Sequence, residues 1–448
     1  MRRNFLKKFD LFLMLIVLVL IIIGISFIYS SGFNSSGILV TNYWQKQIIW
    51  ASIGFVLMIF FTMFDYRKTQ RYGLYLFGLL ILLLIYTRLF GRHVNGANSW
   101  IGIGDFGIQP SEFGKIIFIL YLSKFFAEHQ NMSDLKKIFI SLLIFAVPFG
   151  LIILQPDIGT ASVYLPIYLL ICFIAGIHFR YIGYFLIVLV SAVVFAILPF
   201  WNSTIPDKPI AFFTVFSNTK YKLIIFAAFF IISALGIIIR RYFHGPKYIY
   251  WINYFFTAIT IGLLLSFAVN FVLDGKEYQK LRLIVFFDPY KDGYNGRGAG
   301  WNILQSKIAI GSGGLFGKGF LNGSQSHLRY LPEQHTDFIF GILTEEIGFM
   351  GGLLIFGLYL MLFSKIIYII KKCTNKYGIY ISTGILAMFA YHFFTNVGMV
   401  MGIMPVTGIP LLLLSYGGSS LWTSMICIGM LMNINYRRKQ FMSISDEE

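Results

Sequence analysis

Apolar runs of about twenty residues recur along the whole chain, separated by short polar or basic breaks. That is the length a helix needs to cross a bilayer core of about 30 Å. Twelve runs are readable, at approximately 11–30, 45–64, 73–90, 113–127, 138–154, 158–177, 181–200, 221–239, 250–273, 346–370, 377–400 and 415–434. The pattern predicts an all-α polytopic membrane protein, a helical bundle forming one integral membrane domain over residues 1–448. The first run follows Arg2, Arg3, Lys7 and Lys8. It is longer than the apolar core of a signal peptide and no small-residue cleavage site follows, so it reads as a retained signal anchor.

Composition agrees with the pattern. Hydrophobic residues make up 57% of the 448 residues and charged residues 12%, against about 25% charged in soluble domains. The net charge of +17 raises nucleic acid as a partner, but the basic residues punctuate the spans instead of forming one patch. Anionic lipid headgroups suit that distribution, and a nucleic-acid partner is not expected. Cys172, Cys373 and Cys427 are far apart in sequence and suggest neither a disulfide framework nor a metal site.

With the N-terminus in the cytoplasm, Arg67/Lys68/Arg71, Lys136/Lys137, Arg180, Arg240/Arg241/Lys247, Lys371/Lys372/Lys376 and Arg437/Arg438/Lys439 fall on the inner side, as the positive-inside rule requires. An even number of spans returns the C-terminus to the cytoplasm. Segments 91–112, 274–345 and 401–418 then all face outward.

In the first of these, Pro110 and Ser111 read as a helix start with Ser111 as cap and Glu112 in the first turn. Glu112 and Lys115 are three residues apart and can pair on one helix face. Two readings stay open: a cap with a solvated ion pair, or charge facing a polar cavity at membrane depth. Asp157, in Gln155-Pro156-Asp157, reads as a helix cap.

The second segment is basic and glycine-rich, and carries Lys276, Lys280, Arg282, Lys291, Arg297, Lys307, Lys318 and Arg329. Its run Gly311–Gly319 fails the phosphate-loop pattern, because Ser312 replaces the first Gly and Gly319 the final Ser or Thr. If helix begins soon after Pro332, then Asp337, Gly341, Thr344 and Gly348 share a face, with Glu345 beside them. An aspartate on such a stripe is a candidate general base, or an interfacial cap without chemistry. His335 and Asp337 alone are too few for a protein-only metal site. In the third segment, Pro405, Gly408, Pro410, Gly417 and Gly418 interrupt an apolar region. A re-entrant element or a kinked span would each account for them.

Taken together, GANSW with QPSE, QPDIGTA, QSKIAIGSGGLFGKG, LPEQHTDFIF, and MPVTGIP with LSYGGSS resemble the motifs of the SEDS family, whose members polymerise lipid-linked glycan for bacterial cell wall. The likeness runs through nearly the whole chain. Gln334 and Val406-Thr407 resemble its RodA-like elongation branch more than the FtsW division branch. The resemblance implies a peptidoglycan glycosyltransferase acting on lipid II at the outer face of the cytoplasmic membrane. It assigns catalysis to Asp337 and Trp100, with Glu112, Lys115, Asp157, Lys318, His335 and Ser415 as substrate-binding candidates. It also implies a divalent cation, Mg or Mn, which Asp337 could help hold, and no organic cofactor. The partners it implies are undecaprenyl-diphosphate-linked glycan, a class B penicillin-binding protein transpeptidase, other elongation-complex proteins and membrane lipids.

The sequence departs from the family in Leu412, where Pro is usual, and in Trp301-Asn302. The family has ten spans, so residues 201–273 read as an inserted two-span hairpin. A lipid II flippase and a non-catalytic scaffold of the elongation machinery are the rival readings. Detergent-purified protein would make no polymer under the first, and Asp337 substitutions would be silent under the second.

Overall fold

The computed structural model describes residues 9–94, 97–103, 106–204, 206, 209–242, 247–273, 280–282, 285–290, 300–328 and 333–445. Arg2, Arg3, Lys7, Lys8, Asp274, Lys276, Lys291, Arg297, Arg329 and Pro332 lie outside the described residues.

Helices occupy all twelve expected places. They are α1 (Leu11–Ser30), α2 (Tyr43–Met63), α3 (Tyr66–Phe90), α4 (Pro110–Glu128), α5 (Asp134–Leu154), α6 (Ile158–Ile174), α7 (Phe179–Thr204), α8 (Thr219–Tyr242) and α9 (Lys247–Leu273). After the shorter α10 (Trp301–Gly313) come α11 (Ile339–Lys372), α12 (Lys376–Val400) and α13 (Gly418–Ser445). Nine of the described helices are long and apolar enough to cross a membrane unaided by neighbours. Of the other three at expected spans, α6 is short, and α4 and α13 carry more polar residues, many of them buried. Such helices are stable at depth when protein, not lipid, surrounds them.

The expected all-α bundle therefore stands, with one addition. Residues 92–108 form a small antiparallel sheet of β1 (Arg92–Val94), β2 (Ala97–Ile103) and β3 (Phe106–Ile108), in that order.

The chain divides into two compact units, residues 1–176 with 305–448, and residues 177–304. In the first, α13 packs on α2, α12 on α4, α6 and α11, and α3 on α4. Small residues permit the closest approaches. A Cβ on Gly24 would lie 2.5 Å from the Leu414 carbonyl oxygen, and one on Gly429 2.5 Å from that of Met58. In the second unit α9 packs against both α7 and α8.

α11 is broken. Gly348 has φ 75° and ψ −163°, so the carbonyls before it lose their usual partners one turn on. The glycine-rich run replaces them. Lys318 N–H donates to Glu345 O at 3.1 Å and Gly319 N–H to Glu346 O at 2.9 Å, while Phe349 N–H donates to Gly314 O at 2.9 Å. Irregular backbone at membrane depth persists only when protein satisfies it. The run that fails as a phosphate loop is a backbone patch for a helix break.

Candidate functional site

The Gln334–Asp337 turn enters α11 without being part of it. Asp337 N–H donates to the Glu333 carbonyl at 3.1 Å, and the helix starts only at Ile339. This corrects the expectation that Asp337 shares a helical stripe with Gly341 and Thr344. A non-glycine φ of 50° at Glu333 turns the chain there, and Phe338 takes the capping position.

Three contacts fix the turn. Gln334 is buried and its amide donates to the Ser31 carbonyl at 3.0 Å. His335 stacks on Tyr43, with ring centroids 4.3 Å apart and planes 14° from parallel, and its carbonyl accepts from Tyr416 N–H at 2.9 Å. The side chain of Asn396, on α12, donates to the Asp337 carbonyl at 2.8 Å and to the Ile409 carbonyl at 2.8 Å.

One turn earlier on α12, His392 contacts the Pro410 carbonyl at 2.8 Å through Nδ1 and the Lys115 ammonium at 3.1 Å through Nε2. Because Lys115 can only donate, Nε2 is the acceptor and Nδ1 carries the proton toward Pro410. Lys115 also donates to Glu112 Oε1 at 2.6 Å. Lys115 and His392 are each 0% exposed and Glu112 4%. The solvated-pair reading of Glu112 and Lys115 is therefore excluded: burial makes this an interior ion pair with an imidazole attached. The N-cap of α4 is Gln109, with Pro110 first in the helix, so Ser111 is not the cap that the sequence suggested. Proline at the first helical position needs no N–H partner, which moves the cap two residues back, to Gln109.

Asp157 caps α6, accepting from Thr160 N–H at 3.0 Å, and also accepts from the Gln109 amide at 2.7 Å. Gln109 thus ties the two QP motifs together. A Cβ on Gly159 would lie 2.5 Å from the Thr407 carbonyl, which seats the second of them on the MPVTG segment. That segment is irregular, and the residues that follow it are largely buried. Gly408 has φ 70° and Leu413 φ 72°, and Ile409 and Leu411 through Leu414 are buried.

The remaining candidates have other partners. Lys318 donates to Glu345 Oε1 at 2.7 Å and to Ser324 Oγ at 2.6 Å, at the helix break. Ser415 is buried, accepts from Leu411 N–H at 2.8 Å, and is held through its carbonyl by the Gln47 amide at 3.1 Å. Trp100 lies on β2 opposite Arg92, with Gly107 of β3 so close that a Cβ there would meet its ring at 2.8 Å. Burial pushes the His327 imidazole below its ordinary value, and the Glu345 carboxylate pulls it partly back.

Sequence reasoning passed over His392, Asn396, Tyr43 and Gln47. A signal existed for the first two, which are polar residues four apart in an apolar helix and so share one face.

For a divalent cation, no three His, Cys, Asp or Glu side chains converge among the described residues. Mg²⁺ is commonly held by one or two carboxylates with water and substrate phosphates. The Asp337 carboxylate fits that partial role.

A family model described as Cell cycle protein, FTSW_RODA_SPOVE, matches residues 10–216 and 227–440. The chain belongs to the FtsW/RodA/SpoVE family. Among family members, the peptidoglycan glycosyltransferase RodA of Treponema pallidum (strain Nichols) is 48% identical over 438 residues, 98% of this chain and 100% of that protein. The peptidoglycan glycosyltransferase MrdB of Escherichia coli K12 is 30% identical, covering 95% of this chain and 93% of its own. Stage V sporulation protein E of Bacillus subtilis is 32% identical, covering 95% and 96%.

Solved structures share the fold. A chain from a peptidoglycan synthase complex, described as coordinating polymerization and crosslinking, aligns with TM-score 0.64 and 23% identity over 96% of this chain and 99% of that one. RodA of Thermus thermophilus aligns with TM-score 0.59 and 21% identity over 96% and 97%.

Proposed function

We propose that this chain is a peptidoglycan glycosyltransferase that polymerises lipid II into glycan strands during cell elongation. The observation that carries the reading is end-to-end similarity, at 48% identity, to a protein named for that activity. The bonds that join four separate motifs, QPSE, QPD, HTDF and MPVTGIP, around the Asp337 turn support placing the chemistry there.

In this mechanism the Asp337 carboxylate takes the proton from the acceptor sugar hydroxyl of lipid II. The freed oxygen attacks the anomeric carbon of the growing strand. A new C–O bond forms as the bond to the undecaprenyl diphosphate breaks, and the diphosphate leaves with the electron pair, inverting the centre. Positioned base catalysis contributes about 10²–10⁴-fold, so orientation of two lipid substrates must supply much of the rest. The Asp337 carboxylate would help hold a divalent cation, whose charge would favour departure of the diphosphate. Lys307, in the outer segment, is a candidate for the same charge.

The proposal places both termini in the cytoplasm and Asp337 at the outer leaflet, where lipid II is consumed. A class B penicillin-binding protein would crosslink the strands as a partner, within an elongation complex.

The test is polymerisation of purified lipid II in detergent by the wild type and by Asp337→Asn. Polymer from the wild type and its loss, by about 10²-fold or more, in the variant is the expected result. Absence of polymer with transport in sealed vesicles would favour a flippase. Normal activity in the variant would remove Asp337 from the chemistry.

A further inference from the structure

The second unit contains a cavity of about 360 Å³ between the end of α7, the start of α8 and the end of α9. Two lysines reach it. Lys222, one turn into α8, is 2% exposed, and its ammonium lies 4.6 Å from the Phe267 ring centroid. The Lys280 ammonium is 5.8 Å from the Phe200 ring centroid. Phe216 and Thr219 also line its walls.

The partners of Lys222 are uncharged. It donates to the Phe195 carbonyl at 3.4 Å. Asn270, with its amide turned to satisfy both ends, accepts from it at 3.1 Å and donates to the Ala196 carbonyl at 3.0 Å. An ammonium has three N–H donors, and among the described residues only two partners meet it, which leaves one donor for a ligand. None of the described residues lining the cavity is acidic. Two positive charges among aromatic rings call for an anion, because charge at this depth is costly without one.

Depth and surroundings say which anion. Lys222 is the fourth residue of the apolar stretch Thr219–Arg240. At 1.5 Å per residue it lies about 5 Å inside the end of that span, close to the membrane–water interface beyond which lipid phosphates lie. The first backbone amides of α8 add positive potential there. Beside the cavity, Phe271 is 84% exposed and Ile224 63%, an apolar surface suited to acyl chains. Residues 217–226, which include Thr219 and Lys222, fall between the two stretches that the family model matches, whereas Lys280 and the α7 and α9 walls lie within them.

We propose that this cavity binds the phosphate of an anionic membrane lipid, with Lys222 and Lys280 on the phosphate oxygens and the acyl chains along the exposed apolar face of α8 and α9. It is independent of the catalytic reading.

The test is native mass spectrometry of the detergent-purified full chain, titrated with phosphatidylglycerol, with zwitterionic phosphatidylcholine, and with inorganic phosphate as a soluble competitor. Each lysine near a phosphate gives roughly fivefold, so the wild type should prefer phosphatidylglycerol by about 25-fold. The paired substitution K222Q/K280Q should reduce that preference to about twofold or less, and K222R/K280R should keep it. Unchanged preference in K222Q/K280Q overturns the proposal. So does displacement of the lipid by inorganic phosphate alone, which would make this a soluble-anion site. If Lys222→Gln does not fold, Lys280→Gln alone must still lower the preference by about threefold or more, and no change would overturn the proposal.

Discussion

The Asn396 side-chain amide holds the carbonyl of Asp337 and the carbonyl of Ile409 at once, each at 2.8 Å. Asn396 is 0% exposed, so no water can replace it. The residue assigned to catalysis is thereby positioned through its backbone, from a helix remote in sequence. Asn396→Leu keeps the volume and removes both donors. Loss of the donor to the buried Ile409 carbonyl alone costs about 1–3 kcal/mol, which should lower the melting temperature. A base displaced by about 1 Å loses roughly 10²-fold in rate, so lipid II polymerisation by monodisperse protein should fall by about that factor. Wild-type turnover in this variant would show that the bond does not position the base.

The break in α11 makes a contrast between two glycines. A Cβ on Gly348 would lie 2.3 Å from Gly317 N and 2.6 Å from Leu315 O, at a φ of 75°. Both neighbours are backbone, so nothing can swing aside, and the conformation itself costs an L-residue about 1–3 kcal/mol. Gly348→Ala should therefore express poorly or elute as aggregate in size-exclusion chromatography. Gly311, inside α10, has nothing within 4 Å of its added Cβ. Gly311→Ala should raise stability by about 0.5–1 kcal/mol through helix propensity. Equal behaviour of the two would refute the assigned role of the break.

Periodicity and length made the twelve helices legible, because a bilayer demands long apolar runs and few other folds do. The cap at Asp157 was legible for a local reason, as its partner is Thr160, three residues on. What could not be read is whatever depends on distant partners. His392 meets Pro410 and Lys115, and Asn396 meets Asp337 and Ile409. Nothing near 392 or 396 in the chain announces those contacts. The sheet escaped because its strands span only 3, 7 and 3 residues and are interrupted by glycine. Gly348 was hidden for the opposite reason, since one glycine in an apolar run looks like tolerated helix until its φ is known.

The Glu112–Lys115 pair makes an electrostatic prediction. Its two charges are buried at 2.6 Å, and among the described residues Glu112 Oε2 has no hydrogen-bond partner. Removing one partner strands the other charge in the interior, which typically costs about 3–5 kcal/mol, whereas an apolar pair of similar volume is often neutral. Lys115→Met should therefore be strongly destabilised. Adding Glu112→Leu should restore much of the melting temperature without restoring polymerisation, if the pair also serves the reaction. Additive destabilisation in the double variant would rule out an interior ion pair.

Lys318 separates two roles that the sequence could not. The resemblance marks it for substrate, yet its ammonium lies 2.7 Å from Glu345, whose side chain is 0% exposed. Glu345 also accepts from Ser324 Oγ at 3.0 Å and Gln325 N–H at 2.9 Å, so the carboxylate gathers the loop at the helix break. Lys318→Met removes a charge-assisted bond worth about 1.5–3 kcal/mol but leaves those other donors. The melting temperature should fall while the KM for lipid II stays at the wild-type value. A raised KM with an unshifted melt would mean that the lysine leaves Glu345 for a phosphate when substrate binds.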